Sequence, residues 1–148
     1  MIRNITSADK EIYFSLANEF YHSDAVLHNV PKKFIENTFC EMMRSTDYTE
    51  GFIIEHENEI AGYGLISKSF SQESGGNVIW LEELYIKEQF RGLGLGSSYF
   101  DFIESKYKAT RYRLEVEPEN ERAVKLYKRR GYEFLPYNQM IKEQNQYD

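Results

Sequence analysis

Apolar positions change period several times along this chain, and each change predicts an element. Residues 2–5 form a short apolar strand, and Thr6 and Ser7 cap a helix running to about residue 20. Ile12, Phe14, Leu16 and Phe20 fall near helical spacing in it. Pro31 opens a second helix with Phe34, Ile35, Phe39, Met42 and Met43 on one stripe. Cys40, beside Phe39, is expected in its core as an inert thiol. Residues 51–56 and 59–70 read as strands about a Glu57-Asn58 turn, and a Ser74-Gly75-Gly76-Asn77 turn leads into a strand over 78–86. A helix over about 97–107 and a strand over 111–116 follow. Asn120 caps a helix that Gly131 ends, and short closing strands are expected at 132–135 and 139–141. This order predicts a mixed α/β (α+β) fold: one domain over 1–148, with a mainly antiparallel sheet of six to seven strands and about four helices.

Between the 78–86 strand and the next helix stands Arg91-Gly92-Leu93-Gly94-Leu95-Gly96-Ser97. Glycines there permit positive φ and let a ligand approach the backbone. A loop of this kind opening a helix directs unpartnered N–H groups at the positive end of the helix dipole, a receptor for phosphate. A nucleotide P-loop needs a lysine after the last glycine, and none follows Gly96. A dinucleotide fold fails because Ser97 takes the third fingerprint position and only about 30 residues follow the next strand.

Composition removes other classes. The net charge of −6 argues against nucleic acid and mildly favours cationic small substrates. One cysteine fits a reducing cytoplasm, and neither a membrane-spanning run nor a signal-peptide core is visible. No metal is expected: His22 and His28 stand six apart with no further ligand nearby.

Residues either side of the loop carry a family pattern. Leu81-Glu82-Glu83-Leu84-Tyr85-Ile86, then Arg91, Gly94 and Gly96, then Asn120, Ala123, Tyr127, Gly131 and Tyr132 together resemble the GNAT family of N-acetyltransferases. Within it, Leu-Glu-Glu-Leu-Tyr-Ile and the later Tyr-Lys-Arg-Arg-Gly are similar to the diamine (spermidine/spermine) acetyltransferase branch. The resemblance implies acetyl-CoA as cosubstrate, its pyrophosphate on Arg91, Gly92, Leu93, Gly94, Leu95, Gly96 and Ser97. It also implies the pantetheine arm along Leu84, Tyr85 and Ile86, and Asn120 within the cofactor segment. Homodimers are common in the family, which extends to this chain as an expectation.

The implied reaction moves acetyl to a primary amine by direct attack. A polyamine or diamine is the leading acceptor and a peptide or protein amine the second; a binding module without turnover is the rival class. An amine of pKa ~10.4 is only about one part in 10³ deprotonated at neutral pH, so a base is needed. Glu82 and Glu83, adjacent on a strand, should face opposite sides, leaving one for any cleft. The resemblance favours Glu82. Tyr127 is the implied acid for the departing thiolate, against a reading as a packed helix aromatic. Tyr21, His22, Asp24 and His28 crowd an inter-helix break, suiting either a cationic acceptor or ordinary helix capping.

Overall fold

Glu57 and Asn58 both have positive φ, 49° and 67°, the geometry of a tight two-residue hairpin turn. It joins β2 (Thr49–His56) to β3 (Glu59–Ser71) in the computed structural model, which describes residues 1–23, 26 and 29–144. The chain divides into two compact units, Met1–Glu115 and Val116–Asp148.

In the first unit β1 (Ile2–Asn4), β2, β3, β4 (Gly76–Ile86) and β5 (Arg111–Arg113) make one sheet in chain order. All pairings are antiparallel except β4 with β5. The helices α1 (Lys10–Tyr21) and α2 (Lys32–Arg44) cover one face: Tyr13, Leu16, Ala17, Phe20, Phe39 and Met42 pack on Ile53, Tyr63 and Leu65. The opposite face carries α3 (Leu95–Lys106), whose Tyr99 meets Phe52 edge-on with ring centroids 6.3 Å apart. β3 therefore sends Tyr63 and Leu65 toward α1 and Gly64 and Ile66 toward α3, the alternation a half-buried strand dictates.

The second unit contains α4 (Glu121–Arg129). The Asn120 side chain accepts from the Ala123 N–H at 3.3 Å, and Gly131 at φ +94° ends the helix. Tyr132 N–H returns to the Tyr127 carbonyl and Gly131 N–H to that of Lys128, the paired bonds of a Schellman stop.

Three expectations are corrected. Five strands stand among the described residues, not six or seven: 132–144 is irregular. Phe134, Met140 and Ile141 remain exposed, and Pro136, which has no N–H to donate, stands between the two expected strands. β5 stops at Arg113, since β4 leaves it after Trp80. Cys40 is exposed; Phe39 and Met42 take the buried stripe and Cys40 lies about 100° round the helix from Phe39.

Candidate active site

From the end of β4 a short 3-10 turn, Glu88–Phe90, leads to Arg91, Gly92 at φ +80° and Gly94 at φ +78°. Gly94 is the N-cap of α3, and no side chain caps that helix. A Cβ built on Gly92 or Gly94 would meet nothing within 4 Å, and one on Gly96 only Leu84 Cδ2 at 3.9 Å. The glycines therefore make no room for the protein's own packing. They leave a backbone-lined cradle beside the positive end of a twelve-residue helix, which fits a pyrophosphate. Arg91 Nε donates to the Ile86 carbonyl at 2.9 Å and its guanidinium lies 5.9 Å from the Tyr85 ring, fastening the loop to β4. Leu93 is exposed and Ser97 half-buried at the helix entrance.

β4 itself changes partners. Val78, Ile79 and Trp80 pair with Arg111, Tyr112 and Arg113, and the Arg113 guanidinium stacks 4.1 Å from the Trp80 ring. Among the described residues β5 pairs no further, while the ladder to β3 runs on to Ile86. Residues 81–86, Leu84, Tyr85 and Ile86 included, thus keep one edge free of strand pairing. An extended amide chain such as a pantetheine arm can take hydrogen bonds from such an edge.

A bulge places the two carboxylates. Leu65 pairs with Glu83 and Ile66 with Leu81, so Glu82 is an extra residue between consecutive rungs. The expectation that Glu82 and Glu83 face opposite sides is corrected by it. Glu83 accepts from Tyr63 Oη at 2.6 Å and from Tyr21 Oη. Glu82 accepts from Ser67 Oγ at 2.6 Å, and Ser67 shares the strand parity of Tyr63 and Leu65. Both carboxylates lie on the α1 side. Burial, the largest cause, raises the Glu83 carboxyl above the usual range; the Glu82 charge adds to this and the two phenols oppose it.

Of the inter-helix residues, Tyr21 reaches Glu83, whereas His22 is exposed with Nδ1 2.7 Å from the Asn18 carbonyl. Asp24 and His28 lie outside the described residues. In the second unit Tyr127 is half-buried, its ring 6.2 Å from Tyr132, and burial raises its phenol. Among the described residues no group of three or more His, Cys, Asp or Glu could hold a metal. No helix there is long and apolar enough to cross a membrane. Sequence reasoning missed Tyr63. Its signal was a tyrosine at a core-facing position of β3, where a phenylalanine would pack as well without a hydroxyl to satisfy.

A glycine cradle opening a helix, a strand edge released beside it and paired carboxylates on that strand describe a class of enzyme that acylates amines from a CoA thioester. Residues 10–132 match the Acetyltransferase (GNAT) family, and the chain belongs to it. It is an acetyl-CoA-dependent N-acetyltransferase by that membership. It is 27% identical over 110 residues to a spermine/spermidine N(1)-acetyltransferase of Bacillus subtilis (strain 168), covering 68% of this chain and 72% of that one. It is 37% identical over 79 residues to a thialysine N-epsilon-acetyltransferase of Bos taurus, covering 51% and 46%. The chain thus spans less than half the length of the second relative. In fold it resembles a possible acetyltransferase from Clostridium difficile 630, with TM-score 0.80, 17% identity and coverage of 98% and 97%.

Proposed function

We propose that the enzyme acetylates a primary amine of a small, cationic, polyamine- or diamine-like acceptor, and that 1–148 acts as one domain. The family match runs through both units, from residue 10 to 132. The observation that carries the substrate reading is the bulge, which sets Glu82 and Glu83 together on one side of β4. Two adjacent carboxylates suit an acceptor that arrives as a cation. The first relative's spermine and spermidine point the same way.

In this reading Arg91, Gly92, Leu93, Gly94, Leu95, Gly96 and Ser97 take the pyrophosphate, with Asn120 capping the helix behind Tyr127. Leu84, Tyr85 and Ile86 hold the pantetheine arm along the free edge of β4. Acetyl-CoA supplies the activated acyl group. Glu82, the more exposed carboxylate, takes the proton from the amine, with Glu83 in that role if Glu82 is not. Tyr21, His22, Asp24 and His28 form the acceptor side. The free amine attacks the thioester carbonyl directly, and the Tyr127 phenol gives its proton to the departing thiolate, since a phenol whose pKa burial has raised holds the proton until the sulfur needs it. No covalent enzyme intermediate is required.

Thiol release from acetyl-CoA across a panel of diamines, polyamines, amino acids and peptides tests this. Release restricted to the small cationic amines is the expected result. Release with peptides alone moves the acceptor to protein amines, and acetyl-CoA binding without amine-dependent release reduces the chain to a binding module.

A further inference from the structure

Each oxygen of one carboxylate is held by a phenol from a different element. Tyr63, fully buried on β3, donates to Glu83 Oε1 at 2.6 Å, and Tyr21, the last residue of α1, donates to Oε2. The core keeps both phenols from turning away. Phe20 packs edge-on to the rings of Tyr21 and Tyr63 at 5.0 and 6.2 Å, and Tyr13 stands at 88° to Tyr63 at 5.7 Å. Packing needs the rings but not the hydroxyls; phenylalanine would fill the same volume. Among the described residues, the titratable groups that face Glu83 are Tyr13 and Tyr21 from α1, Tyr63 from β3 and Glu82 on its own strand. None of these is a cation. An ionised Glu83 thus has hydrogen bonds but no counter-charge among them, and an incoming ammonium supplies one.

We propose that Tyr63 is a positioning residue that, with Tyr21, clamps Glu83 as a fixed anion against which the acceptor's amine docks. This rests on the acetyl-transfer reading above, and it gives a role to a residue that reading does not use. Donors to a carboxylate favour its ionised form, so removing one raises its proton affinity.

Tyr63→Phe and Tyr21→Phe, each compared with Tyr13→Phe, test the clamp. With carboxyl-13C glutamate labelling, the Glu83 signal is assigned by its loss in Glu83→Gln and titrated by NMR in the folded enzyme. Each of the first two variants should raise the Glu83 midpoint by about one pH unit, a tenfold change, and Tyr13→Phe should move it less. With spermidine as the probe amine, KM should rise about tenfold, acetyl-CoA binding should hold, and the acidic limb of kcat/KM should move up by the same unit. If Tyr63→Phe fails to fold, Tyr21→Phe at the helix end reads the same quantity. A lower melting temperature with no movement of the midpoint or the limb returns both phenols to packing and overturns the clamp. Absence of turnover in the unmodified enzyme with every amine fells the acetyl-transfer reading instead. The midpoint then decides alone: unmoved, it overturns the clamp; raised, it upholds Glu83 as a phenol-held anion.

Discussion

The phenol end of the Tyr99 ring occupies the space where a Cβ on Gly64 would stand, so α3 rests directly on the backbone of β3. Tyr99 is fully buried and has no room to retreat. Gly64→Ala should therefore cost about 1–3 kcal/mol, the usual penalty for overpacking. A urea unfolding midpoint unchanged from the parent would show that α3 can lift at no cost. Because α3 carries the glycine loop on its N-terminus, acetyl-CoA affinity should fall in the same variant.

Gly94→Val separates the loop's binding from its folding. A Cβ at this position meets nothing within 4 Å, but the branched side chain fills the cradle and resists the positive φ. The protein should stay folded, losing about 1–2 kcal/mol to backbone strain, while acetyl-CoA binding by calorimetry disappears. Parental affinity in a folded variant would remove the phosphate from this loop.

For the base, Glu82→Gln should lower kcat by about 10²–10⁴-fold near neutral pH, the deficit shrinking as pH approaches the amine's own pKa. If Glu82→Gln turns over normally and Glu83→Gln does not, the base is Glu83. Full activity in both variants at neutral pH would take the proton transfer off this strand.

Tyr127→Phe keeps the ring and removes one hydroxyl. A proton donor lost should cost about 10²-fold or more in kcat with acetyl-CoA affinity little changed. The alkaline falling limb of the pH profile should vanish with the phenol. A packing role predicts instead a loss of no more than about 0.5–1.5 kcal/mol in stability and near-normal turnover. Paired melting and steady-state measurements choose between them.

Acid should weaken the first unit through Asp9. Arg3 spans both its carboxylate oxygens, at 2.8 and 3.0 Å, and Thr6 donates through its N–H and hydroxyl. The Arg3 hydrogen bonds, chiefly, hold the Asp9 carboxyl down at about 2 from an ordinary 3.8. A depressed carboxylate contributes stability that is complete above the unfolded value and lost as pH falls through the folded one. Between about pH 4 and 2 the unfolding free energy should drop by about 1–2 kcal/mol on this account, and Asp9→Asn should flatten that part of the curve.

What was legible in the sequence was local. Glu57-Asn58, Gly94 and Gly131 announce a turn, a helix entrance and a helix stop because each answers to its own φ and its nearest neighbours. The bulge at Glu82 is a mismatch in count between β3 and β4, and nothing within β4 signals it, so simple alternation does not hold for the two glutamates. Residues 132–135 and 139–141 have the composition of strands, yet among the described residues they form none. Tyr63 escaped notice as one of twelve tyrosines, its meaning supplied only by Glu83 on the next strand.

Glu82 is, in the ladder, a surplus residue. Remove it and Leu81 and Glu83 become neighbours opposite Ile66 and Leu65, with every other rung unchanged. A chain shorter by this one amino acid would own a more regular sheet, since a bulge bends and twists the strand that carries it. It would also own one carboxylate fewer on that side. The irregularity is thus an insertion in the simplest sense: deleting it would leave β3 and β4 in one unbroken register, and the two carboxylates would be reduced to one.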